Sequence, residues 1–298
     1  MARILLGISG WGEPDLAMSG FYPSEAKTTA DRLRNYSTRF SVAEIDSTYH
    51  SFATSRSIAT WLESTPKGFA FNLKAFSMFT KHPTPYQALP RSFREKFGER
   101  ISAKPSVYLH HLPDEAVDDL WQGLARTARA LEQEDRLGAV LFQFPPWFHP
   151  NPENQDYISS CRERLPELPL AVEFRVGSWL EAGHLDETLE LLKKNRMTLV
   201  CVDEPQGFKS SVPPVAEATG PLAVVRFHGR NADNWELKNA TPEKRFEHLY
   251  QRDELMEWVP RIHEMAGKAE TVHVIFKNKP NVNAVSNALE MNELLRLV

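Results

Sequence analysis

The sequence predicts a single α/β chain closed into a TIM-type barrel, and three observations lead there. First, eight short, apolar, β-rich runs recur at Ile4–Ile8, Val42–Ile45, Phe69–Leu73, Ala139–Phe142, Leu170–Phe174, Thr198–Val202, Ala223–Phe227 and Val272–Phe276. Several are hydrophobic at almost every position, as parallel strands covered on both faces must be. Second, most of the intervening stretches carry apolar residues at the 3.6-residue helical period. Third, 298 residues suit one barrel of roughly 250 residues with an insertion. The expected unit is one domain spanning 1–298. An open, doubly wound sheet is the competing arrangement, but no glycine-rich phosphate loop follows the first run.

Each helix is expected from its own stripe. Leu33, Tyr36 and Phe40 share one face, as do Ile58, Trp61 and Leu62. Val117, Leu120, Trp121, Leu124, Ala128 and Leu131 make the longest stripe. Leu185, Leu189 and Leu192 follow, then Leu255, Trp258, Val259 and Ile262, and finally Ala284, Ala288, Leu289 and Leu295. The connection from Asp203 to Pro221 has no such stripe and carries Pro205, Pro213 and Pro214, so one outer helix is expected to be missing or reduced. The third connection is long, an insertion over 75–113 that barrel geometry puts on the C-terminal face.

Composition narrows the class. With 42% hydrophobic and 25% charged residues the chain reads as an ordinary globular protein. No apolar run approaches the roughly 20 residues of a membrane span, and no secretory leader is expected at the N-terminus. Cys161 and Cys201 lie far apart in the sequence, outside disulfide or thiolate-metal spacing, and read as small buried hydrophobes. A reducing cytoplasm is the expected setting. The net charge of −4 argues against coating nucleic acid by bulk electrostatics. Between Lys74 and His111, however, seven cations face two acids, leaving the rest of the chain at −9. That segment also carries Phe76, Phe79, Tyr86, Phe93, Phe97 and Tyr108. Cations that hold phosphate interleaved with rings that stack bases make nucleic acid a candidate partner through this 74–111 loop.

Reading each strand to its C-terminal end collects a charged set at one end of the barrel. Trp11 follows strand one, Glu44 and Asp46 end strand two, Lys74 ends strand three and Gln143 strand four. Strand five delivers Glu173 and Arg175, with Trp179 beyond, and strand six Asp203. Strand seven delivers Arg226 and His228, and strand eight Lys277 and Asn278. Barrels carry their chemistry on this face. Glu44, Glu173, Lys74 and Asp203 are therefore the catalytic candidates. Trp11, Asp46, Gln143, Arg175, Trp179, Arg226, His228 and Asn278 are the candidates for holding an anionic or hydroxyl-rich ligand. Glu44 and Glu173 suit acid–base work, Lys74 an amine nucleophile or a charge partner, and the two arginines a bidentate grip on phosphate or carboxylate. The competing reading is a self-neutralised salt-bridge network, since the four acids nearly balance the cations. One histidine among scattered carboxylates is a weak transition-metal set, so no metal or other cofactor is expected, with a carboxylate-held divalent ion the remaining alternative.

The same residues fall in segments that together resemble one family. They are Gly7-Ile8-Ser9-Gly10-Trp11, Gly20-Phe21-Tyr22-Pro23, Ala43-Glu44-Ile45-Asp46-Ser47-Thr48-Tyr49, Thr65-Pro66-Lys67-Gly68-Phe69 and Phe71-Asn72-Leu73-Lys74-Ala75. Thr80-Lys81-His82 follows, then Leu141-Phe142-Gln143-Phe144-Pro145-Pro146, Ala171-Val172-Glu173-Phe174-Arg175 with Ser178-Trp179, and Arg226-Phe227-His228-Gly229-Arg230. In order and spacing, over nearly the whole chain, they resemble the YecE-like family, also called domain of unknown function 72. The resemblance implies a TIM-barrel-like fold and no particular reaction. The chain departs from the family pattern at Val176-Gly177, at Lys277 and at His50, so no shared role is carried to those positions. Three functions remain in competition: an enzyme acting on a phosphate-bearing ligand, nucleic acid included; a sugar or sugar-phosphate enzyme using paired carboxylates; and a non-catalytic binding or scaffold protein. The oligomeric state is not legible.

Overall fold

In the computed structural model, which describes residues 2–100 and 106–297, all eight expected runs form strands. They are β1 (Arg3–Ile8), β2 (Val42–Ile45), β3 (Ala70–Lys74), β4 (Leu137–Gln143), β5 (Leu170–Glu173), β6 (Met197–Asp203), β7 (Leu222–Phe227) and β8 (Thr271–Phe276). Every pairing is parallel, and the ladder runs β1-β8-β7-β6-β5-β4-β3-β2. The two ends of that ladder meet, so the sheet is a nearly closed barrel. At the seam Ser9 bridges Glu44, and the Gly10 amide donates to the Glu44 carbonyl at 3.1 Å.

Local chemistry explains the seam. The Tyr36 hydroxyl donates to the Val42 carbonyl at 2.9 Å and accepts from the Ile8 amide at 2.7 Å, stitching the first strand to the second. Gly7 makes that approach feasible, because a Cβ there would sit 1.9 Å from the Val42 carbonyl oxygen. Tyr36 comes from the first barrel helix, α1 (Thr29–Tyr36), whose start is fixed by reciprocal bonds between Thr28 and Asp31.

Helices α2 (Ser55–Glu63), α3 (Asp114–Glu132), α4 (Pro152–Arg164), α5 (Leu185–Lys194), α6 (Val259–Lys268) and α7 (Asn281–Leu297) complete the outer layer. No helix lies between β6 and β7, as the prolines predict. Helix α4 shows no apolar stripe in the sequence. It is held instead by buried Ile158 and Cys161 and by polar bonds, such as Arg162 to the Leu165 and Leu168 carbonyls. Cys161 and Cys201 are free and buried, and burial pushes both thiols up from their ordinary value. No helix among the described residues is long and apolar enough to cross a membrane.

The third connection folds back onto the barrel. It holds a short helix at Arg91–Phe97 and a two-residue ribbon pairing Thr84–Pro85 with Ser106–Val107. Phe76, Phe79, Phe93 and Phe97 are buried, with Phe79 packed 4.1 Å from Trp121 of α3. Burying a phenylalanine contributes about 2–3 kcal/mol, which accounts for their presence here without any base to stack on.

Candidate functional site

The barrel interior is polar toward its C-terminal mouth. On β7 the alternation of side chains sends Arg226 inward and Phe227 outward, where Phe227 lies against Tyr250 and Trp258. The Arg226 guanidinium is fully buried and bonds Glu44 of β2 with one nitrogen and Glu173 of β5 with another. These strands are not neighbours, so the three side chains span the barrel. Around Glu173 gather Gln143 Nε2 at 2.6 Å, His228 Nε2 at 3.0 Å and Arg175 at 3.5 Å. Ser9 Oγ donates to Glu44 at 3.0 Å and also contacts Asp46. Asp46 in turn lies 3.4 Å from the amines of both Lys74 and Lys277. One chain of polar contacts thus runs Lys277–Asp46–Ser9–Glu44–Arg226–Glu173–Arg175 across the mouth.

Depth divides this chain into two layers. Glu44, Glu173, Arg226 and His228 have no exposed surface. Asp46 keeps 33% of its side chain exposed, Lys277 and Arg175 keep 13%, and Lys74 9%. Burial alone would raise the Glu173 carboxyl, but Arg226, His228 and Arg175 outweigh it and hold it well below the usual carboxylate range. The same opposition, with Lys277, Lys74 and Arg226 prevailing, keeps Asp46 ionised. Burial depresses His228 to about 3, so it is neutral. Burial, reinforced by Lys74 and Arg226 and opposed by Asp46, brings the Lys277 ammonium down to about 8.

Two residues outside the candidate set belong here: Lys277, which strand eight delivers to this end but which has no role among the candidates, and Glu204, which the strand-end reading does not reach. Glu204 accepts from Arg175 at 2.7 Å and from the Val212 amide at 2.8 Å, and burial raises its carboxyl to about 7. The period-two alternation of a strand was the available signal. In β6, Cys201 contacts Met265 of the outer layer, so Asp203 shares the outward face and Glu204 turns inward. In β8, His273 bonds Asn72 across the interior at 3.0 Å, so Lys277 shares its inward face and Asn278 does not.

Two candidates therefore leave the site. Asp203 accepts from Tyr250 at 2.6 Å, from Trp258 at 2.6 Å and twice from Arg230, which ties the mouth of β6 to the outer layer. Asn278 bonds Asn287 of α7 at 2.9 Å and the His248 carbonyl at 2.8 Å. Trp179 also leaves the ligand-facing set. It is fully buried, stacked 4.4 Å from Phe174, and donates to the Phe148 carbonyl at 2.6 Å. Trp11 lines a hollow of about 220 Å³ with Gly10, Glu13, Glu44, Asp46 and Ser47. Trp11 Nε1 and Glu44 Oε2 are both buried and have no hydrogen-bond partner among the described residues. Replacing Asp203 with Asn keeps its shape but removes the charge facing Arg230 and one acceptor. The expected loss is about 1–3 kcal/mol in urea unfolding; an unchanged midpoint would show that the Tyr250–Trp258–Arg230 clasp contributes little.

Among the described residues no group of three or more His, Cys, Asp or Glu is arranged to hold a metal ion. In the basic third connection, Lys81 pairs with Glu153, Arg91 with Glu95 and Lys96 with Glu115. Lys104 and the Arg100 side chain lie outside the described residues.

The chain is similar to known proteins along its whole length. It is 30% identical over 296 residues to the UPF0759 protein YunF of Bacillus subtilis (strain 168), covering 98% of this chain and 94% of that one. Its fold superposes on the crystal structure of a DUF72 family protein (EF0366) from Enterococcus faecalis V583 with a TM-score of 0.80 and 27% identity, over 99% of this chain and 96% of the other. A DUF72 family protein (TM1631) from Thermotoga maritima MSB8 gives 0.77 and 28%, over 99% of each chain. The family model described as "Protein of unknown function DUF72" matches residues 5–298. With the barrel, the strand-end residues and this full-length match in agreement, the chain belongs to the DUF72 family, for which YecE-like is another name.

Proposed function

We propose that the protein is an enzyme acting on a small, hydroxylated, phosphate-bearing ligand at the C-terminal mouth of its barrel. The observation that carries this reading is the layering of charge. The buried layer places Arg226 between two carboxylates, whereas Lys74, Lys277 and Arg175 keep part of their side chains exposed, with the part-exposed Asp46 shared by the two lysines. Cations presented at a part-closed mouth suit phosphate oxygens. The unpartnered Trp11 donor and Glu44 acceptor beside the small hollow suit ligand hydroxyl groups.

In this reading Glu44 and Glu173 position Arg226 and are not the acid and base. Both are bound to the same guanidinium, and Glu173 is held ionised, so Glu173 has no proton to give. A small ligand is favoured over a nucleic-acid strand because three of the loop's cations are paired with acids and four of its rings are buried. Thermal unfolding with ribose 5-phosphate, fructose 6-phosphate, inorganic phosphate, the unphosphorylated sugars and a single-stranded oligonucleotide at low salt tests the reading. A sugar phosphate at a hundredfold excess over its Kd should stabilise by about 2.7 kcal/mol, an effect absent in Lys74→Met. The reading falls if the sugar phosphates leave the transition unmoved, or if only the oligonucleotide shifts it.

A further inference from the structure

Lys74 and Lys277 reach the mouth from different strands and share one carboxylate. The Lys277 amine is 3.4 Å from each Asp46 oxygen, and the Lys74 amine is 3.4 Å from Oδ1. Their remaining surroundings differ. Lys74 also lies over the Tyr49 ring, 4.6 Å from its centroid. A ring face attracts a cation, so that contact helps to fix the side chain in place. Lys277 feels Asp46 and Glu44 from the β2 end, Lys74 from β3 and Arg226 from β7. Lys74 and Lys277 thus share Asp46, and burial beside Lys74 and Arg226 eases the release of a proton from Lys277. A buried amine beside another cation is an established way of making a lysine nucleophilic near neutral pH.

We propose that Lys277 is a nucleophile that forms a Schiff base with the carbonyl group of a small phosphate-bearing aldehyde or ketone. This rests on the functional reading above and narrows its substrate class. Neutral Lys277 adds to the carbonyl carbon, and one N–H proton moves to the oxygen, giving a carbinolamine. A second proton, passed from the Lys74 ammonium along the shared Asp46 carboxylate, lets that oxygen leave as water. The product is a cationic C=N bond on Lys277, and Lys74 regains its proton from solvent. No oxidant or reductant takes part. Lys74 and Arg175 remain as the cations for the phosphate, and Asp46 is a positioning residue for both amines.

The test is reductive trapping on the intact protein. Dihydroxyacetone phosphate is added at pH 8 with sodium borohydride, and the adduct is located by peptide mass mapping. One adduct per chain at Lys277 is expected, lost in Lys277→Arg and slowed at least tenfold in Asp46→Asn. Thermal unfolding of each variant confirms the fold. Labelling of wild-type amines by acetic anhydride across pH should show Lys277 reacting with a midpoint near 8, well below surface lysines. If dihydroxyacetone phosphate raises the melting temperature but no Lys277 adduct forms, the Schiff base is overturned while the phosphate site stands. If it neither binds nor traps, both fall. Trapping spread over surface lysines and unchanged in Lys277→Arg also overturns the proposal.

Discussion

Replacing Arg226 with Met is expected to be among the most damaging single changes in this protein, at about 3–5 kcal/mol in urea unfolding. The estimate follows from what remains behind. Arg226 is fully buried between Glu44 and Glu173, both also fully buried. Burial by itself would lower the guanidinium's affinity for its proton, yet Glu173, Glu44 and Asp46 raise it instead. Removing it strands two carboxylates away from water, and breaking a buried ion pair on one side costs that much. Glu44 is the worse placed, since Ser9 is its remaining side-chain donor among the described residues. Glu173 keeps Gln143, His228 and Arg175. Combining Arg226→Met with Glu44→Gln and Glu173→Gln should therefore recover more than half of the loss. A loss below about 1 kcal/mol, or a triple variant no better than the single one, would mean that water already reaches these carboxylates.

The same network shows why the fold was more legible than the site. Strands buried on both faces must be apolar throughout, so Val200, Val202, Val224 and Val225 advertise themselves. Tyr36 could be placed on a helix face by period, but its part in closing the barrel depends on Gly7 and Val42, which only the folded chain brings to it. Helix α4 escaped because Arg162 and Asn154 anchor it through hydrogen bonds, which leave no hydrophobic period. At the mouth, position at a strand end located the right level of the barrel but not the right side. Asp203 and Asn278 point to the helices, while their neighbours Glu204 and Lys277 point inward. Alternation along β6 and β8 carried that information, and a one-residue difference reverses it. In the basic loop, the charge counted in the sequence says nothing of Glu153 or Glu115, which reach Lys81 and Lys96 from other elements.

Stability should fall by about 1–2 kcal/mol per pH unit as pH drops from about 6 to 4.5. His228 and His273 are buried, and burial depresses them to about 3 and about 4. An unfolded histidine titrates near 6.5, so below that pH the unfolded chain takes up protons that the folded chain refuses, and each group removes about 1.4 kcal/mol of stability per unit. His82, held down to about 4 by burial and Lys74, adds a smaller share because it is partly exposed. Glu204 acts in the opposite sense. Its folded value of about 7 exceeds the unfolded value of about 4.3, so it favours the folded state at low pH, and that advantage is lost as pH rises to 7. Two to three histidines outweigh one carboxyl between pH 4.3 and 6.5, which sets the sign. Below about pH 4 the slope steepens, because Glu173 and Asp46 are held ionised by their cations and lose that stabilisation when protonated. Urea midpoints from pH 5 to 8 test the curve, and two variants separate the contributions. His228→Gln should flatten the acid limb by about one group's slope. Glu204→Gln should steepen that limb. A wild-type midpoint that stays constant from pH 7 to 5, or a Glu204→Gln limb that becomes shallower, would mean that these buried groups exchange protons with solvent as freely as in the unfolded chain.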